Sequence, residues 1–171
     1  TVLSCASASG ELMKPFVIFP GVWSRFNFEG VDPNNFDVGV SPNGWISSDC
    51  FFGWMANLLI PYLEEKKVQF PVIIFMDGHI SHVNVAVSEF CREKNVILYC
   101  FPPHAIHLMQ PLDVSVFGPL KKAWNSSLDK FARTYRGLAM SRHHFFLFLI
   151  LHRTRLLIHH KTSSQASKNL D

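Results

Sequence analysis

The chain predicts an α/β fold with at least one parallel β-α-β crossover. Three observations carry this. Pro71–Met76 (PVIIFM) and Val96–Phe101 (VILYCF) are unbroken apolar runs, the pattern of strands covered on both faces in a parallel sheet. Between them Val83–Lys94 has amphipathic helical spacing, with Val87, Phe90 and Cys91 on one side. The remaining segments alternate strand-like and helix-like patterns, which places helices around a sheet.

The segments upstream follow in order. Thr1–Ala8 is small and β-compatible and ends at Ser9-Gly10; Pro15–Phe19 (PFVIF) is β-branched and aromatic and ends at Pro20-Gly21. Together they predict a hairpin. Trp23–Asn43 is rich in Gly, Asn, Asp and Pro without a period and reads as a long loop. A helix opens near Ser47 or Ser48, either able to cap it, with Asp49 at its positive end. Phe51, Trp54, Met55, Leu58, Leu59 and Tyr62 recur at three- and four-residue steps, and Pro61 and Glu64–Lys67 mark the exit. A third helix is expected from about Val114 to Tyr135, with Val116, Phe117, Leu120, Trp124, Leu128 and Phe131 on one face.

Composition narrows the function classes. The 171 residues suit one domain, and 48% hydrophobic content with 16 Phe supplies a core. A net charge of +3 and a pI near 8.7 are compatible with a nucleic-acid partner without requiring one. Cys5, Cys50, Cys91 and Cys100 form no C-x-x-C pair and sit among apolar neighbours, as buried free thiols of a reducing compartment do. Phe145–Leu151 is too short to span a bilayer, so no membrane partner is expected. No signal peptide is visible, and the cytosol or nucleus is the expected location.

Asp77 follows a buried strand directly and precedes Gly78. The carboxyl end of a strand is where open α/β sheets present ligand sites. Asp-Gly is also an ordinary turn. Asp113, in Gln110-Pro111-Leu112-Asp113, stands where the third helix begins and follows the second buried strand; an N-cap would look the same. If the strands are parallel neighbours, the two carboxylates converge and repel unless a cation lies between them. Hard oxygen donors with open positions suit Mg²⁺ or Mn²⁺. His79/His82 and His104/His107 give two H-x-x-H spacings beside the acids. They fit hydrogen bonds to the acids or substrate phosphates, with structural zinc as the alternative. Lys121, Lys122, Lys130, Arg133 and Arg136 could neutralise phosphates or form a solvated helix face.

At these residues the chain resembles pogo/Tigger/jerky-type DDE transposases of the mariner superfamily. Met76-Asp77-Gly78-His79-Ile80-Ser81-His82 is similar to the family's second-acid motif, and the whole stretch from Phe101 to Lys121 is similar to that around its third acid. Ala8-Ser9-Gly10, Pro15–Gly21, Gly44-Trp45, Phe52 and Trp54 fit upstream, and the likeness covers residues 1–146. The resemblance implies an RNase H-like mixed sheet flanked by helices. It implies a nuclease in which three acids hold two Mg²⁺ (or Mn²⁺) ions, with DNA as partner, no small-molecule substrate and the nucleus as location. Carried over by position, Asp77 is the second acid, Asp113 the third, and His82 a contact to metal-bound water or phosphate. His79, His104, His107, Lys121 and Lys122 become candidate DNA contacts.

Three departures are visible. Ala105-Ile106 stands where the family has two threonines. The family's first acid belongs to a central strand expected before Thr1, and Asp32, Asp37 and Asp49, placed in a loop and at a helix start, do not substitute for it. The chain alone is therefore expected to be inactive, its sheet missing that strand. Residues 147–171 form a divergent basic and polar tail, read as a gene-model artefact or an unusual helix. The function expected is metal-dependent DNA cleavage and strand transfer in the ancestral protein, with a homo-oligomer open for its full length. The alternatives are a DNA-binding scaffold of the centromere protein B or jerky-like class, and a decayed open reading frame.

Overall fold

The computed structural model describes residues 1–25, 27, 29, 31–76, 84–102 and 117–150. The chain divides into two compact units: residues 1–5, 12–26 and 36–110, and residues 6–11, 27–35 and 111–171. The first unit is a mixed α/β body in which small sheets are flanked by helices, consistent with an RNase H-like fold.

The expected hairpin forms. Strand β1 (Val2–Leu3) pairs antiparallel with β2 (Phe16–Pro20), Val2 opposite Val17 and Leu3 opposite Phe16. The long loop read from Trp23 to Asn43 is corrected. It contains a 3₁₀ turn, Trp23–Arg25, and a strand β3, Asp37–Ser41, that pairs parallel with β2 from Phe16↔Asp37 to Pro20↔Ser41. Asp37, expected in a loop, opens that strand and pairs with Lys14 at 3.1 Å.

Ser47 caps the next helix as expected: its side chain accepts from Cys50 N at 3.2 Å, and Asp49 lies in the first turn. The helix runs through α1 (Ser48–Trp54), a π-helical stretch Met55–Leu59 and α2 (Ile60–Glu65). Pro61 does not end it. Proline has no N–H to donate, and widening the preceding turn to the i→i−5 pattern, with Ile60 N donating to Met55 O, carries the backbone past it. Phe51, Trp54, Met55 and Leu59 are buried, as their spacing requires.

Strands β4 (Val72–Met76) and β5 (Val96–Cys100) pair parallel, Val72↔Val96 through Met76↔Cys100. Helix α3 (Val85–Glu93) stands between them in sequence and packs on β5, so the predicted crossover is present. Asn84 caps α3 by accepting from Val87 N at 2.8 Å. Asn95, in the left-handed region at φ 54°, turns the chain straight from α3 into β5. Among the described residues the strands form two sheets, ordered β1-β2-β3 and β4-β5.

The core of this unit joins Met13, Phe16 and Ile18 to Phe51, Trp54, Met55 and Leu59, and onward to Met76, Val87, Cys91 and Val96. One expectation fails here. Among the described residues the β4–β5 sheet is packed on one face, and Ile73 (54% exposed), Phe75 (60%), Ile97 and Tyr99 face outward. An unbroken apolar run is thus compatible with one open face. Cys91 is buried as expected, Cys5 and Cys50 are half-buried, and Cys100 is exposed; all four are free thiols.

In the second unit, helix α4 (Gly118–Thr134) falls inside the span expected for the third helix, whose first residues, Val114–Val116, lie outside the described ones. Its apolar face meets helical residues 142–150. The Trp124 ring lies 5.3 Å from Phe145 and 6.1 Å from Phe148, and Phe131 lies 4.9 Å from His144.

Candidate functional site

The frame of the site is the carboxyl end of β4 and β5. Paired neighbours Met76 and Cys100 end the two strands level with each other, and Phe101 N donates to Met76 O at 2.9 Å. Met76 and Phe101 are both buried, so this end of the sheet is anchored in the fold. The chain therefore leaves both strands on one edge, about 5 Å apart, the spacing of paired strands. Asp77 is the next residue after β4. Helix α3 opens at its Asn84 cap, the positive end of its dipole, and residues 77–83 between strand and cap lie outside the described ones.

Asp77, His79, His82, His104, His107 and Asp113 themselves lie outside the described residues. Among the described residues no group of three or more His, Cys, Asp or Glu stands together as a metal site. The donor chemistry is therefore what bears on a metal. The two carboxylates are hard oxygen donors and the imidazoles borderline nitrogen donors, residue types compatible with a divalent cation, and no cysteine neighbours either acid in sequence.

Lys121 and Lys122 lie in the opening turns of α4 and are exposed, as are Lys130 and Arg133 further along and Arg136 just beyond it. Leu120, Trp124, Leu128 and Phe131 are half-buried or buried. The basic residues thus form the solvent side of an amphipathic helix.

At the ends of β2 and β3, sequence reasoning took Pro15–Gly21 and Gly44-Trp45 only as parts of the family pattern and gave Trp23 and Trp45 no role of their own. There Trp23 and Trp45 are exposed, each following a turn-forming glycine within two residues. The signal available was an aromatic side chain set among Gly, Asn and Ser, outside any hydrophobic period.

Among the described residues no helix is long and apolar enough to cross a membrane. Residues 1–136 match the family described as DDE superfamily endonuclease. A curated relative, an "MFS-type transporter clz9" of Cochliobolus lunatus, is 33% identical over 134 residues, 75% of this chain and 14% of that protein. The chain spans about a seventh of that relative, and the name belongs to the whole of it. No solved structure matches the chain. The matched family spans the paired strands, the position of Asp77 and all of α4: the chain belongs to the DDE superfamily endonucleases.

Proposed function

We propose that this chain is the core of a pogo/Tigger/jerky-type transposase, an enzyme whose complete form cuts and joins DNA in the nucleus using Mg²⁺ or Mn²⁺. The observation that carries the reading is the family match across residues 1–136, joined to a parallel strand pair whose common end precedes Asp77. Asp77 and Asp113 would hold the cation, and a third acid from a strand before Thr1 would complete the set. A divalent cation bound there would supply Lewis-acid stabilisation of charge developing on phosphate oxygens. The chain's own residues do the rest. His82 orients water or phosphate. His79, His104 and His107 donate to phosphate oxygens, and Lys121 and Lys122 neutralise the backbone.

The test mixes supercoiled plasmid with Mg²⁺ or Mn²⁺ and the polypeptide that includes the preceding strand, beside its Asp77→Asn and Asp113→Asn variants. Asn keeps the shape and removes the charge that attracts the cation, so both variants should fall to the uncatalysed background. Equal nicking by all three proteins removes the assignment.

The exposed basic stripe on α4 favours a second reading, a DNA-binding scaffold of the centromere protein B or jerky-like class that no longer cuts. It is distinguished by duplex binding that survives Asp77→Asn in a protein without nicking activity.

A further inference from the structure

The ends of β2 and β3 carry a second feature that the acids do not explain. Residues 21–25 and 42–46 leave these paired strands at the same end, after Pro20 and Ser41. The two loops are tied together. Gly21 N donates to Ser41 O at 2.9 Å, Ser41 Oγ donates to Trp45 O at 2.7 Å, and Trp45 N donates to Asn43 Oδ1 at 3.0 Å. Gly44 has φ +74°, and a Cβ there would stand 2.9 Å from Pro20 Cδ, so the 42–46 loop lies directly on the end of β2. Thr1 Oγ1 donates to Gly44 O at 2.8 Å and fixes the turn from a third side.

These tethered loops nevertheless present Val22, Trp23 (54% exposed) and Trp45 (69%) to solvent. Indoles are among the residues a fold most gains by burying, so two exposed on one loop pair are unusual surface. Arg25, in the 3₁₀ turn that begins at Trp23, is the only charged residue among 21–25 and 42–46. Exposed aromatic rings on the loops that leave one sheet end, with one cation in the same 3₁₀ turn as Trp23, match the needs of an unpaired nucleotide. The base stacks on an indole and the phosphate meets the guanidinium. An intact duplex fits less well, because its bases keep their faces inside the stack.

We propose that Trp23 and Trp45, with Arg25, form a stacking platform for the unpaired bases of a DNA strand. The inference rests on the reading that this chain handles DNA, and is independent of the acids that would cut it.

The experiment uses the chain carrying Asp77→Asn in EDTA, with a dye-labelled single-stranded oligothymidylate followed by anisotropy and its duplex with oligodeoxyadenylate as comparison. The single strand should bind more tightly than the duplex and quench the protein's own Trp fluorescence. Trp23→Leu and Trp45→Leu should each weaken single-strand binding roughly tenfold, whereas Trp23→Tyr and Trp45→Tyr should retain most of it. Arg25→Gln should lower the salt slope by about 0.7, the value for one phosphate contact on a single strand. Single-strand binding unchanged in the double Leu variant overturns the proposal. So does a duplex bound as tightly as the single strand, or self-association that vanishes with the indoles, which would assign the surface to protein contact. A complete protein that never nicks plasmid, while oligothymidylate binding persists, sinks the nuclease reading and leaves this one standing.

Discussion

Asn84 does more for the candidate site than its place outside it suggests. Its side chain accepts from Val87 N at 2.8 Å and so fixes the start of α3, the element to which the connection beginning at Asp77 must return. Asn84→Ala should lower stability by about 1 kcal/mol, the usual effect of losing such a cap, measured as a drop in the urea midpoint at unchanged slope. The thiols give a second prediction at this scale. Burial pushes the Cys5 and Cys91 thiols above their ordinary range. As pH rises the unfolded chain therefore loses those protons before the folded one does. Their effect on stability is absent at neutral pH and becomes unfavourable in alkali, from the ordinary thiol range upward. Under native conditions exposed Cys100 should react with a disulfide reagent fastest and Cys91 slowest. Equal rates for the two would show that the packing of α3 on β5 does not shield Cys91.

The helices and the β4-α3-β5 crossover were legible in the sequence because periodic burial shaped it: Phe51, Trp54, Met55 and Leu59 recur as they do because one side of the helix is core. Strand β3 was not legible, and Gly39 shows why. A Cβ at Gly39 would come within 2.4 Å of Phe16 Cζ, so the ring from β2 occupies the space of a side chain in β3. Glycine weakens a strand's sequence signature while serving its packing. Val38 and Val40 remain as a short alternation beside the Pro33-Asn34-Asn35 turn signal. Gly39→Ala should destabilise the fold by about 1–3 kcal/mol, because the buried Phe16 ring must shift to admit the methyl group. The double variant Gly39→Ala/Phe16→Leu should recover part of that loss by thermal melting, since removing the far edge of the ring opens the space. A Gly39→Ala protein as stable as its parent would disprove the ring-over-glycine packing.

At the scale of the molecule, the same apolar runs that announced β4 and β5 concealed how they are covered. PVIIFM and VILYCF read alike whether one face or two are packed, because strand propensity rewards β-branched and aromatic residues on either side. Candidate Asp77 was picked out for a different reason, since it ends such a run at a glycine and needs no burial pattern to be noticed; it lies outside the described residues. The open face places Ile73 beside Ile97 and Phe75 beside Tyr99, with the Phe75 and Tyr99 rings 5.4 Å apart. Contiguous apolar surface of this kind associates in water. The chain should therefore show concentration-dependent light scattering that rises with salting-out anions. Ile97→Lys, aimed at the open face, should reduce the scattering and leave the melting temperature nearly unchanged, as surface substitutions do. Val96→Lys, one residue away on the buried face, should abolish cooperative folding, because it places an unpaired ammonium among Met76, Val87 and Cys91. The contrast between adjacent positions is the measurement that decides. If Ile97→Lys is as damaging as Val96→Lys, the outer face of this sheet is covered in solution and the one-sided packing is wrong.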